Sequence, residues 1–181
     1  MKNLYVSGYR NYELGIFNDD DQKLYYIKKA LKQAILRYLD EGLEWVLMSG
    51  ELGIETWTGQ VINELKEDYP HLKYAIIMPY EQFGEKWSEK NSLSHKKLLA
   101  EADYVDYSSK MPYDNPSQLV ANQAFLINSS GGALLLYEPE FKGKTEYLYD
   151  LILQKQEKSD YLLEFITQFD LQDIVDQERF E

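Results

Sequence analysis

The sequence predicts an α/β domain of Rossmann-like type, a three-layer α/β/α stack around a mostly parallel sheet. Three observations predict it. Short apolar runs stand at residues 4–7, 45–48, 74–78 and 133–137; stretches of helical apolar period lie between them; and glycine-bearing turns follow the first two runs. Unbroken apolar runs are the pattern of strands covered on both faces, and strand–helix alternation implies right-handed crossovers. The expected strand order is 3-2-1-4-5 with an extra edge strand, in one domain spanning residues 1–181.

The first strand, Leu4-Tyr5-Val6-Ser7, ends at Gly8 and opens a loop, Gly8-Tyr9-Arg10. Asn18-Asp19-Asp20-Asp21 then precedes Leu24, Ile27, Leu31, Ile35 and Leu39, a helical stripe with acidic caps before it and Gly42 after it. Trp45-Val46-Leu47-Met48 is too short for a helix and reads as the second strand. It runs straight into Ser49-Gly50-Glu51-Leu52-Gly53-Ile54-Glu55. From Ile54, Trp57, Val61 and Leu65 return at helical spacing until Tyr69-Pro70. A third strand at residues 74–78 stops at Pro79, and the following segment becomes helical through Leu93, Lys97 and Ala100. Tyr104-Val105-Asp106-Tyr107 is a weaker strand. Asn115-Pro116 starts a helix through Leu119, Gln123 and Leu126; Gly131-Gly132 leads into the strand at 133–137. Thr145 is expected to cap a helix carrying Tyr147, Leu148, Leu151 and Ile152, and Glu164-Phe165-Ile166-Thr167 to add a last strand before an acidic tail.

Composition narrows the function. With 31 acidic against 19 basic residues, the net charge of −12 repels nucleic-acid backbones, so nucleic-acid binding is disfavoured. A small anion is less affected, because backbone N–H groups at a helix start can hold it against the overall field. The absence of cysteine excludes disulfides and thiolate chemistry and fits a reducing compartment; with no signal segment and no membrane-length apolar run, the expected location is cytoplasmic. His71 and His95 are the only histidines and stand apart, so neither a histidine triad nor a metal site is expected.

The candidate site is a phosphate-holding edge where the first two strands end. Gly50 and Gly53 lack side-chain bulk where strand turns into helix, as close approach of a phosphate requires, and the switch-point rule places Gly8-Tyr9-Arg10 beside them. Glu55 is a candidate for a ribose hydroxyl or for general-base catalysis, against the plainer role of a carboxylate favoured by the helix dipole. Arg10 offers a planar fork of donors to phosphate, with Ser7 and Tyr9 supplying hydroxyls or a stacking face and Ser49 opening the ligand-binding loop. Trp57 falls at a core-compatible position, with base stacking as its alternative. Asn122 and Gln123 are adjacent amides suited to a base edge, or simply a polar helix face. Lys142-Gly143-Lys144-Thr145 is not a P-loop, because Glu138 stands where its first glycine is needed; Gly143 and Thr145 remain a second anion-binding helix start.

Taken together, Ser7-Gly8-Tyr9-Arg10, Glu13-Leu14-Gly15-Ile16-Phe17, Asp40-Glu41-Gly42-Leu43-Glu44-Trp45, Ser49 through Trp57, Asn122-Gln123 and Tyr137-Glu138-Pro139-Glu140 resemble the YpsA family of Gram-positive bacteria. The resemblance implies membership of the SLOG superfamily, Rossmann-like domains related to DNA-processing protein A and to the LOG-type phosphoribohydrolases. It implies a nucleotide-related ligand on the loop where Gly53 and Glu55 match the family motif, with Trp57 beside them; ADP-ribose, an NAD-like molecule or a nucleoside phosphate is the ligand we expect there. It also implies a role in cell division or growth control, hence a cell-division protein as partner, with a homo-oligomer as a further expectation. The LOG sequence Pro-Gly-Gly-x-Gly-Thr-x-x-Glu is absent, which turns the expectation towards ligand sensing. Cleavage of an N-glycosidic bond, with Glu55 activating water and Arg10 holding phosphate, is the alternative; single-stranded DNA binding ranks below both.

Overall fold

Leu4, Tyr5 and Val6 form an unbroken buried run in the middle of β1 (Asn3–Gly8), which lies between two neighbouring strands. The computed structural model describes residues 1–180. In chain order the further strands are β2 (Trp45–Met48), β3 (Lys73–Met78), β4 (Tyr104–Tyr107), β5 (Gly132–Leu136) and β6 (Leu162–Ile166). All five pairings are parallel, and the sheet order is β4-β3-β2-β1-β5-β6. The expected 3-2-1-4-5 arrangement is met by β3-β2-β1-β5-β6, with Tyr104–Tyr107 as the extra edge strand. That strand is fourth in the chain but lies outside β3, while β5 takes the place beside β1.

The helices are α1 (Gln22–Asp40), α2 (Ile54–Leu65), α3 (Glu89–Glu101), α4 (Ser117–Asn128), α5 (Glu146–Gln156) and α6 (Gln168–Arg179). Right-handed crossovers in opposite directions from β1 place α1, α2 and α3 on one face and α4 and α5 on the other. The contacts of α1 with α2 and α6, of α2 with α3, and of α4 with α5 agree. Asp21 caps α1 by accepting from the Lys23 N–H, so the acidic cluster is a helix start. No helix is long and apolar enough to cross a membrane among the described residues.

Two expectations are corrected. Residues 168–179, read as an acidic tail, form α6. Thr167 and Asp170 make a reciprocal capping box, Ile174 is buried, and Lys29 and Tyr25 both bind Glu178, at 2.5 and 2.8 Å. Thr145 stands at the N-cap position of α5, yet its hydroxyl makes no capping bond, because its backbone is already helical at φ −70° and ψ −13°. A capping side chain needs the extended conformation to reach back over the first turn.

Candidate functional site

The carboxyl ends of β1 and β2 release their loops side by side, and the two loops are locked together. The Ile54 N–H at the start of α2 donates to Tyr9 O at 3.2 Å. Gly53, at φ 85°, faces the same backbone so closely that a Cβ there would lie 2.5 Å from Tyr9 O and 2.6 Å from Asn11 N. Gly50 turns the chain at φ 92° beneath Ile76 and His95.

Between these glycines the loop curls around Glu55. Its Oε1 accepts from the backbone N–H groups of Ser49 (2.7 Å), Gly50 (3.0 Å) and Glu51 (3.4 Å). The Ser49 hydroxyl contacts both carboxylate oxygens, at 3.1 and 3.2 Å, and the Ser7 hydroxyl donates to Oε2 at 2.8 Å. Successive amides converging on one point make an anion-binding concavity, and here the anion is supplied by the chain itself, only 2% exposed.

Beyond this closed loop lies a crevice of about 660 Å³ at the carboxyl ends of the strands. Ser7, Arg10, Ser49, Glu55, Asn122, Gln123 and Thr145 all line it. Arg10 sits on its floor, with Nη1 donating to Gly8 O at 3.2 Å and Nη2 3.3 Å from Glu51 Oε1. Burial opposes the charge on Arg10, but Glu51, Glu55 and Glu13 outweigh it and hold its pKa above the ordinary arginine value. Glu51 is pushed up from the ordinary carboxylate range by burial, with Glu55 adding to the effect and Arg10 opposing it. Lys144 comes from the opposite side of the sheet's switch point; its ammonium lies 5.4 Å from the Tyr12 ring centre.

The wall facing these charges is aromatic. Segment 80–87 follows β3 and turns through Gln82 and Gly84, both at positive φ (66° and 84°), to bring Tyr80, Phe83 and Trp87 to the crevice. Phe83 meets Tyr80 at 5.3 Å and Trp87 at 5.2 Å in edge-on geometry. His95 of α3 backs this wall, edge-on to Trp87 at 5.0 Å and buried, with neither ring nitrogen hydrogen-bonded. Burial lowers its pKa, against a smaller opposing pull from the nearby carbonyls of Gly50 and Phe83. Such a histidine folds neutral while the unfolded chain protonates it, so its contribution is intact above the ordinary histidine pKa and lost as pH falls below it. His95→Leu is therefore expected to flatten the decline of stability between about pH 7 and pH 5.5, measured as urea midpoints; an unchanged slope refutes this.

Tyr9, Gly8, Trp57 and the glycines Gly50, Gly53 and Gly143, also expected at the site, do not line the crevice. Tyr9 is committed to the neighbouring loop, donating to Phe141 O at 2.7 Å and accepting from the Glu138 N–H at 3.0 Å. Gly8 serves packing, since a Cβ there would lie 2.6 Å from Leu136 O. Trp57 is 6% exposed and faces a separate groove with Asn11 and Leu52. Gly50, Gly53 and Gly143 support the crevice without lining it. Asn122 ties α4 to β3 by donating to Ile77 O at 2.8 Å, while Gln123 stays half-buried at the crevice edge. Glu51, Lys144 and the aromatic residues of segment 80–87 are additions that the sequence reading missed; the lysine was visible beside Thr145, whereas the aromatic wall has no periodicity to announce it.

A family model described as the YspA SLOG family, YpsA, matches residues 4–171. The UPF0398 protein of Listeria monocytogenes serotype 4a is 44% identical over 176 residues, covering 97% of each chain. The UPF0398 protein YpsA of Bacillus subtilis is 42% identical over 180 residues, 99% of this chain and 100% of that one. Among solved structures, DNA processing protein A from Helicobacter pylori, described for its single-stranded DNA binding mode, covers 99% of this chain with 80% of its own, at a TM-score of 0.46 and 10% identity.

Proposed function

The chain belongs to the YpsA family of SLOG domains, and from that premise we propose that it binds a nucleotide-type small molecule in the crevice and presents the bound state to a protein partner. The observation that carries the reading is the joint lining of one crevice by Arg10 and Lys144 and by the rings of Tyr80, Phe83 and Trp87. Cations answer phosphate; flat apolar rings answer a base. A nucleoside phosphate, ADP-ribose or an NAD-like molecule presents both groups on one ligand. The role in cell division or growth control implied by the resemblance belongs to the same reading, with the ligand-bound state recognised by the partner.

Binding is preferred to hydrolysis because of Glu55. Two carboxylate oxygens offer about four lone-pair positions, and five donors already surround them. Taking a proton from water would mean releasing the loop that Glu55 organises.

Thermal unfolding of the full chain with AMP, ADP, ADP-ribose and NAD tests the reading. A ligand at a hundred times its dissociation constant is expected to add about 2.7 kcal/mol of stability. No shift with any of the four overturns it.

A further inference from the structure

Resting on that reading of the crevice, we propose that the ligand's phosphate docks at the head of α5, against Thr145 and Lys144, and not on the glycine loop between β2 and α2. The glycine loop is already occupied. Its converging amides are taken by the Glu55 carboxylate, and its helix start is covered by Tyr9 O on the Ile54 N–H. A phosphate arriving there would meet a buried carboxylate where it needs donors.

The head of α5 is the reverse case. Thr145 is 1% exposed, lines the crevice, and keeps its Oγ1 buried with no hydrogen-bond partner. A buried hydroxyl without a protein partner costs free energy, and a ligand oxygen restores the missing bond. The hydroxyl stands at the positive end of an 11-residue helix. Lys144 adjoins it and lines the same crevice as Arg10 and Glu51, so the two cations and that carboxylate share one neighbourhood. Two nearby acids shape the arrangement. Glu13 Oε2 accepts from the Lys144 N–H at 3.0 Å, so that amide is spent one residue before the site. Glu51 pairs with Arg10, and an entering phosphate would replace it as the partner of the guanidinium.

Amide NMR spectra of the full chain, titrated first with inorganic phosphate and then with AMP, test the assignment. Saturable shifts are expected at residues 143–148. Thr145→Val removes a hydroxyl that bonds to no other group of the protein, so it should fold normally and bind AMP about tenfold more weakly, whereas Thr145→Ser should bind as the parent does. Phosphate shifts centred on residues 49–53, equal AMP affinity in Thr145→Val and the parent, or no saturable phosphate binding would each overturn the subsite. If AMP binds but Thr145→Val changes nothing, the crevice reading stands and only the subsite fails. If phosphate shifts residues 143–148 while no nucleotide binds, the subsite stands without its base-binding wall.

Discussion

Gly53→Ala is expected to lower stability by about 3 kcal/mol or more, the loss appearing as a reduced urea midpoint. Two costs add. The first is conformational, because φ 85° is unfavourable for any residue with a Cβ. The second is steric and cannot relax cheaply, since the atoms met at 2.5 and 2.6 Å are backbone, Tyr9 O and Asn11 N. Moving them away breaks the Ile54 N–H bond to Tyr9 and parts the two loops that form one side of the crevice. Gly42→Ala separates the terms. Gly42 has φ 101° but nothing within 4 Å of a built Cβ, so it reports the conformational cost alone, about 1 kcal/mol. Equal losses at the two positions would refute the account of Gly53 as a contact between loops.

A glycine of positive φ where a strand turns into a helix satisfies two demands that leave the same trace: close approach by a phosphate and close approach by another stretch of backbone. Residues 49–55 alone do not say which applies, because the answer lies in what faces them across the fold. The core was legible for the opposite reason. Trp45-Val46-Leu47-Met48 and Ala133-Leu134-Leu135-Leu136 are covered from both sides, so burial wrote itself into consecutive residues. At the sheet edge β4 leaves Tyr104 and Val105 exposed at 52% and 39%, which is why its pattern is faint. Helix α6 buries a single full position, Ile174, and its start was legible only in the Thr167–Asp170 pair. The crevice was half legible for the same reason: Ser7, Arg10, Asn122 and Thr145 follow strands or sit on periodic helices. Tyr80, Phe83 and Trp87 stand in an irregular turn whose shape depends on Gln82 and Gly84.

Glu55→Ala should be as damaging as the glycine substitution, and Glu55→Gln should not. Alanine leaves the N–H groups of Ser49, Gly50 and Glu51 and the hydroxyls of Ser7 and Ser49 without their common acceptor. Losing a buried, multiply bonded carboxylate costs about 3–5 kcal/mol, and the nearby crevice, which admits water, argues for the lower end of that range. Glutamine keeps a carbonyl oxygen for the three amides. Its amide nitrogen can donate to the Ser7 and Ser49 hydroxyls once these rotate, because a hydroxyl accepts as readily as it donates. The expected loss for Glu55→Gln is about 1 kcal/mol, with the loop intact and AMP affinity within about threefold of the parent. The same variant decides between the two roles of Glu55. As the loop's internal anion, it tolerates exchange for a neutral acceptor of equal shape. As a general base, it would lose all turnover on that exchange while binding persisted, so release of free base from AMP by the parent, abolished in Glu55→Gln, would replace the binding role with a catalytic one. Release of base unaffected by the exchange would place catalysis elsewhere in the crevice and leave the loop-holding role of Glu55 standing.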